Sequence, residues 1–471
     1  MASQKLTQYE LKRLENIKRN AETMAALNIH SKAAALAGTK RQRRKASTVR
    51  KPTTENLAIT RESLRPRGMP PDSADDLIKP IRMIDAYTGT ETEYNQILVE
   101  TILSIAKETQ TKDDKFSDFS EKGTMGSCKS RGLESPVKQE IEENLGVVKN
   151  EHLESLDMKP ETVAWVAPGT INVVKFFPCS GTRMIAAGNN LGDISFWNVD
   201  CEDETEDGAY VYRPHTGQIS DILIQQHSMS KIYSCGYDGF ILLMDAEKEV
   251  FDLVHSCDDA IYSLSQQPDS PASLYFGRRH GAMNVWDIRT GKSSKNWMLH
   301  DKKINTISFN PKDPHIMATS SADGTARIWD LRTMSSQKPK TLKTVRHTRA
   351  VHSAYFSPSG RSLATTCLDD NVFIINGVNF EDISTICLDN PTRKISYSSS
   401  RGIWGWDDSY IFIANMKKGV RVISATQKRT IRTLQSPQGS SIPYRFDTHP
   451  YEVGLLAGAT LRSHVCLWTP S

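Results

Sequence analysis

From residue 158 onward the chain is built of short runs in which apolar and polar residues alternate, separated by clusters of small and polar residues. Ile304-Asn305-Thr306-Ile307-Ser308-Phe309 is one such run, closed by Asn310-Pro311. A period of two puts every second side chain on one face, the pattern of a half-buried strand. A second kind of run recurs as GDISFWNVD, DGFILLMDA, GAMNVWDIR, GTARIWDLR, NVFIINGVN, GVRVISATQ and SHVCLWTPS, each ending near one bulky residue. With that residue taken as Trp197, Met244, Trp286, Trp329, Ile375, Ile423 and Trp468, the spacings are 47, 42, 43, 46, 48 and 45 residues. One unit of that length has room for four short strands but cannot bury both faces of its sheet alone, so the units must stack. The pattern predicts an all-β fold: a seven-bladed propeller over residues 158–471, with four strands to a blade.

The period and the strand that ends in Trp-Asp are those of WD40 repeats. Asp238, Asp323 and Asp369 each stand six residues before a marker, with His300 and His347 near the start of the same or a neighbouring repeat. A His/Asp pair is also the equipment of general base catalysis. Because this one returns at blade spacing it reads as scaffold, and the resemblance to WD-repeat blades implies a brace of two loops by Asp, His, Ser/Thr and Trp. No P-loop, GxSxG elbow, zinc pattern or spaced carboxylate pair is present in the sequence, so a non-enzymatic binding protein without cofactor or metal is expected. The eight cysteines are scattered without a CxxC pair, as expected of reduced intracellular thiols.

Upstream of the propeller the pattern changes. Thr7-Gln8-Tyr9-Glu10 is a capping box, and Leu14, Ile17, Ala21, Met24 and Leu27 follow at helical spacing, so residues 1–30 are expected to hold an amphipathic helix. Its apolar stripe would fold back on the body or dock in a groove of another protein. Residues 31–71 are basic and too polar to bury a core; within them Lys40, Arg41, Arg43, Arg44 and Lys45 form a cluster read as a nuclear import signal, although a solubilising tail and contact with DNA phosphates fit the same composition. Residues 72–157 read as an acidic linker with one short helix over 93–107, where Ile97, Leu98, Ile102 and Ile105 recur. The net charge of +4 therefore divides unevenly: residues 1–67 carry 16 basic against 5 acidic side chains, and residues 68–157 carry 10 against 19. No apolar run approaches the roughly 18 residues that would cross a bilayer, and the charged N-terminus is unlike a signal peptide, so neither insertion nor secretion is expected.

The opening TQYELKRLENIKRNAETMAALNI, the basic patch, and the propeller segments NNLGDISFWNVD, SSADGTARIWDLR and IFIANMKKGVRV together resemble the DNA damage-binding WD-repeat family of animal WD repeat-containing protein 76 and yeast Cmr1. The resemblance covers nearly the whole chain. It implies a nuclear, chromatin-associated protein that binds DNA in the damage response; some animal members are thought to read modified cytosine. Trp286-Asp287-Ile288-Arg289 and Trp329-Asp330-Leu331-Arg332 also resemble the WDxR box of substrate receptors for the cullin-4 ubiquitin ligase adaptor, which makes Arg289 and Arg332 candidate adaptor contacts.

Cations mark one end of the blades as a candidate DNA surface. Aligned on the strand beginning at Ile304, Lys302, Arg349 and Arg401 stand two residues before the corresponding strands of blades 4, 5 and 6. Turns on the same face add Arg278 and Arg279, Lys417 and Lys418, and Arg462, while the long loop 390–400 adds Arg393 and Lys394. These side chains would meet phosphates. The WDxR arginines leave their strands at the opposite end, so DNA and an adaptor would use different faces.

Overall fold

Each of the seven innermost strands, Ile171–Phe176, Ile219–Ile224, Ile261–Gln267, Ile304–Phe309, Val351–Phe356, Ile403–Trp404 and Pro443–Thr448, opens an antiparallel sheet whose next two strands follow in sequence order. The computed structural model describes residues 81–83, 98–107, 153–201, 208–225, 228–335, 339–388, 400–415, 419–435 and 442–471. These all fall within the compact unit Leu64–Ser471. The architecture is the expected seven-bladed β-propeller. All seven marker residues lie on third strands, from Trp197 in Ile194–Asn198 to Trp468 in His464–Pro470.

The ring closes on chain that precedes blade 1. Blade 7 supplies three strands of its own, and the edge of His464–Pro470 is covered by Val163–Trp165 and Leu156–Asp157, with Trp165 opposite His464 and Leu156 opposite Pro470. Between these two pieces a 3-10 turn at Pro160–Thr162 breaks the ladder, and the Thr162 hydroxyl donates to the Leu467 carbonyl at 2.7 Å. Closure by a non-consecutive strand satisfies the last sheet edge and ties both ends of the propeller together.

Two elements of the acidic stretch also pack on blades. Ile81–Arg82 adds a fifth strand to blade 2 through Phe251 and Val250. The helix over 98–107 buries Leu98, Ile102 and Ile105, one stripe at helical spacing, in a cluster with Phe177, Met184 and Phe196 of blade 1 and Met244 and Phe251 of blade 2. A helix thus packs on the propeller within the stretch read as 93–107; Ile97 lies outside the described residues.

The recurring His/Asp pairs are internal braces. In blade 4, His300 bonds Asp323 through Nδ1 at 2.9 Å and Thr319 through Nε2 at 2.8 Å, and Trp329 donates to the same Thr319 hydroxyl at 2.8 Å. Burial keeps His300 neutral by lowering its pKa; at Asp323 burial acts the other way, but bonds from His300 and Thr325 outweigh it and hold the carboxylate ionised. His215 repeats the arrangement with Asp238 and Ser234. Blade 5 keeps a looser version: His347 Nδ1 stands 3.8 Å from Asp369, and Phe373, in place of a tryptophan brace, stacks on the imidazole at 4.0 Å.

Candidate nucleic-acid interface

The ladders fix which side chains share a face. Ile304 pairs with Ser321 and Ile261 with Arg278, so the first strands begin on the face that carries the turns between second and third strands. On this upper face Arg279, Lys302, Arg349 and Arg462 are all exposed. Asp301 sits exposed beside Lys302, while Asp238, Asp323 and Asp369 are turned into their own loops by hydrogen bonds, so among the named groups four exposed cations stand with one exposed carboxylate. Lys417, Lys418, Arg393 and Lys394 lie outside the described residues, as do Lys40, Arg41, Arg43, Arg44 and Lys45.

Two of the cations assigned to this rim stand elsewhere or are engaged. Arg278 ends its strand opposite Ile261 and donates to Asp259 at 2.7 Å, which occupies its charge. Arg401 does precede its strand, Ile403–Trp404, by two residues, but that start is not the counterpart of Ile304. Ile403 pairs with Phe412, the third residue of its second strand, and in blade 4 that place belongs to Ser308 opposite Ala318. Arg401 is therefore the counterpart of Thr306, four residues further along than the alignment on Ile403 places it. The cause is the brevity of the blade 6 inner strand, which pairs only at Ile403–Trp404. Trp404 and Trp406 compensate by donating to the carbonyls of Tyr355 in blade 5 and His449 in blade 7, at 2.8 and 3.1 Å.

This register carries Arg401 into the axial channel, where the sequence reading placed nothing. Arg445 of blade 7, opposite Ala459, and Asp221 of blade 2, opposite Cys235, stand at the same level. Arg401 donates to the Asn305 carbonyl across the channel at 3.0 Å, and Arg445 to the Asn172 carbonyl at 2.8 Å. One residue nearer the upper face stand Asn172, Tyr262, Asn305, His352 and Tyr444, with Lys303 over the Tyr262 ring at 4.7 Å and Arg445 over the Tyr444 ring at 4.6 Å. Below the arginines Lys175 pairs with Asp447 at 3.4 Å, and Asp447 raises the lysine pKa despite its burial. A cavity of about 330 Å³ is lined by Arg401, Arg445, Lys175, Asp221, Tyr355 and Trp404, among others.

The electrostatics of the channel are those of crowded cations. Burial and Arg401 pull Arg445 down to about 10, and burial with Arg401 lowers Lys303. Burial, then Arg445, Arg401 and Lys303, push His352 down to about 4, so its imidazole is neutral at physiological pH. Sequence inspection had one signal for this layer: arginine at matching positions of blades 6 and 7, where blades 4 and 5 carry Thr306 and Ser353.

On the lower face Arg289 is exposed, with a 3.5 Å contact to Asp287, while Arg332 is held by both oxygens of Asp330 at 2.9 Å and lies 3.6 Å from Asp313. The two WDxR arginines thus share the face away from Lys302 and Arg349, as their place after the third strands requires.

The WD domain, G-beta repeat model matches residues 291–330 and 339–376. Each match takes in the outer strand of one blade and three strands of the next, the offset by which such repeats interlock. The chain is a WD-repeat propeller. It is similar to WD repeat-containing protein 76 of Xenopus laevis, 26% identical over 85% of this chain and 67% of the relative, and to that of Mus musculus, 27% identical over 85% and 62%. It is also similar to the DNA damage-binding protein CMR1 of Scheffersomyces stipitis, 28% identical over 64% of this chain and 65% of the relative. The chain spans about two thirds of the length of these relatives. Among the described residues, no helix of it is long and apolar enough to cross a membrane.

Proposed function

We propose that this WD-repeat protein is a nuclear, non-enzymatic DNA-binding protein of the damage response, which holds DNA on its upper face. The observation that carries the reading is the shared exposure of Arg279, Lys302, Arg349 and Arg462 around a channel that is itself cationic. Phosphate contacts by such side chains supply sequence-independent affinity and release counterions. The name of the CMR1 relatives, DNA damage-binding protein, agrees with it. Chromatin is the setting in which such a surface meets DNA, and the resemblance extends the reading to damaged or modified bases.

Footprinting with an amine-reactive reagent tests the face. Duplex DNA should protect Lys302 and leave Lys312, exposed on the lower face, as reactive as in the free protein. Protection of Lys312 alone would reject the upper face.

A second reading concerns the lower face, where Arg289 is 77% exposed in its side chain. We infer that the two WDxR arginines offer this face to a protein partner, the cullin-4 ligase adaptor, while DNA occupies the other.

A further inference from the structure

We propose that the axial channel contains an oxyanion site for a phosphate monoester, formed by Arg401 and Arg445 and completed by Lys303, Asn172 and His352. The site stands on the channel geometry alone and would exist whether or not the upper face holds duplex DNA.

The first argument is charge. Arg401 and Arg445 at one level, with Lys303 over the Tyr262 ring above them, bring three positive charges to the channel, and Asp221 is the carboxylate that stands level with the arginines and acts on Arg401. Lys175 and Asp447, lower down, answer each other. The carbonyls of Asn305 and Asn172 take hydrogen bonds from the guanidinium groups but neutralise no charge. An excess of two matches a phosphate dianion better than a single carboxylate.

The second argument is unused hydrogen-bonding capacity. Asn172 Nδ2 and His352 Nε2 are both buried without a partner, and each belongs to the ring of residues just above the arginines. A buried donor left without an acceptor is costly, so two in one ring beside crowded cations indicate a missing acceptor. A neutral imidazole can present an N–H there, and the amide of Asn172 adds another. Asn172 is adjacent to Arg445, which donates to its carbonyl, and it lines the same cavity as both arginines.

The third argument is size and rigidity. The cavity of about 330 Å³ admits a phosphoryl group with part of what carries it. The arginines are already fixed, Arg445 against Tyr444 and Arg401 by Asn305, so little side-chain freedom is lost on binding. Two sources share this chemistry: a small phosphorylated molecule, and the terminal phosphate of a nucleic-acid strand. Only the second rests on the DNA-binding reading.

The test uses the full chain in phosphate-free buffer. Inorganic phosphate, compared with chloride at equal ionic strength, should raise the imidazole pKa of His352 from about 4 by about one unit or more, read by NMR of the histidine ring, because even the monoanion present at the pH of that titration offsets the surrounding cations. Lys303→Gln, at a half-buried position, and Arg401→Met should each weaken phosphate binding about tenfold or more. If Arg401→Met does not fold, Lys303→Gln decides. No shift of His352 beyond that caused by chloride, or undiminished phosphate binding by the folded variants, overturns the site. Tighter binding of a 5′-phosphorylated oligonucleotide than of its 5′-hydroxyl twin, abolished in the same variants, supports the site and assigns the strand end as source. Equal binding of the twins, with inorganic phosphate still shifting His352, supports the site and assigns a small molecule. Loss of all oligonucleotide binding while phosphate still binds would reject the DNA reading and leave the channel site standing.

Discussion

Arg401 spans the axial channel to the main-chain carbonyl of Asn305, 3.0 Å away and two blades distant. This contact joins blade 6, whose inner strand is the shortest, to blade 4, whose ladder and brace are complete. It also sets a charge beside Arg445 at mid-channel, so its energetic sign depends on what balances it.

Asp221 is the group expected to matter most for that balance. Asp221→Asn removes the carboxylate at the level of the two arginines and should destabilise the protein by about 3 kcal/mol, as when one member of a buried ionic network is lost. Arg401→Met, which relieves like-charge crowding while giving up hydrogen bonds, should cost less than Asp221→Asn. Urea unfolding of the two variants orders them; the reverse order would mean the channel carries no cation excess.

Thr319→Val tests the brace reading of the His/Asp pairs. The Thr319 hydroxyl serves both His300 and Trp329, and the isosteric valine leaves two buried partners unsatisfied. A loss of about 2–4 kcal/mol is expected, with DNA affinity at low temperature unchanged. Altered affinity in the still-folded variant would give the pair a role in binding.

The protein should lose stability in mild acid. His352 is held near 4 against an ordinary 6.5, and His300 is also lowered, so on acidification the unfolded chain takes up protons that the native state refuses. Stability falls as pH drops below about 6.5, and the His352 share levels off near 4. His352→Gln should flatten the slope of unfolding free energy against pH by up to about 1.4 kcal/mol per unit in that window. An unchanged slope would place His352 in water.

The lower-face reading predicts that Arg289→Asp with Arg332→Asp weakens capture of the cullin-4 adaptor and leaves DNA affinity as it was. Arg332 is tied to Asp330 and Asp313, so Arg289 alone should account for most of the effect. Adaptor pull-down by the folded double variant at wild-type level would remove this partner.

The blade count was legible in the chain because seven bulky residues recur where each third strand must bury one side chain between sheets. Trp197 and Trp468 fall there as plainly as Trp329. The register of blade 6 was not legible. With no residue pattern to mark where its inner strand begins, Ile403 looked like a counterpart of Ile304, and only the ladder to Phe412 shows otherwise. The channel layer was hidden for a related reason: Lys303, His352, Arg401 and Arg445 come from four blades and meet only when the ring closes. Ile81–Arg82 was equally opaque, since a two-residue strand is defined by its partner rather than by its own pattern.

The most direct test of DNA binding by the upper face is the salt dependence of duplex affinity for the full chain and for the variant with Arg279, Lys302, Arg349 and Arg462 replaced by Ala. These exposed substitutions should each change stability by no more than about 0.5 kcal/mol. Each genuine phosphate contact contributes about 0.9 to the slope of log affinity against log salt, so the account predicts a variant slope shallower by between about two and four units. A folded variant that keeps the wild-type slope and affinity would contradict it.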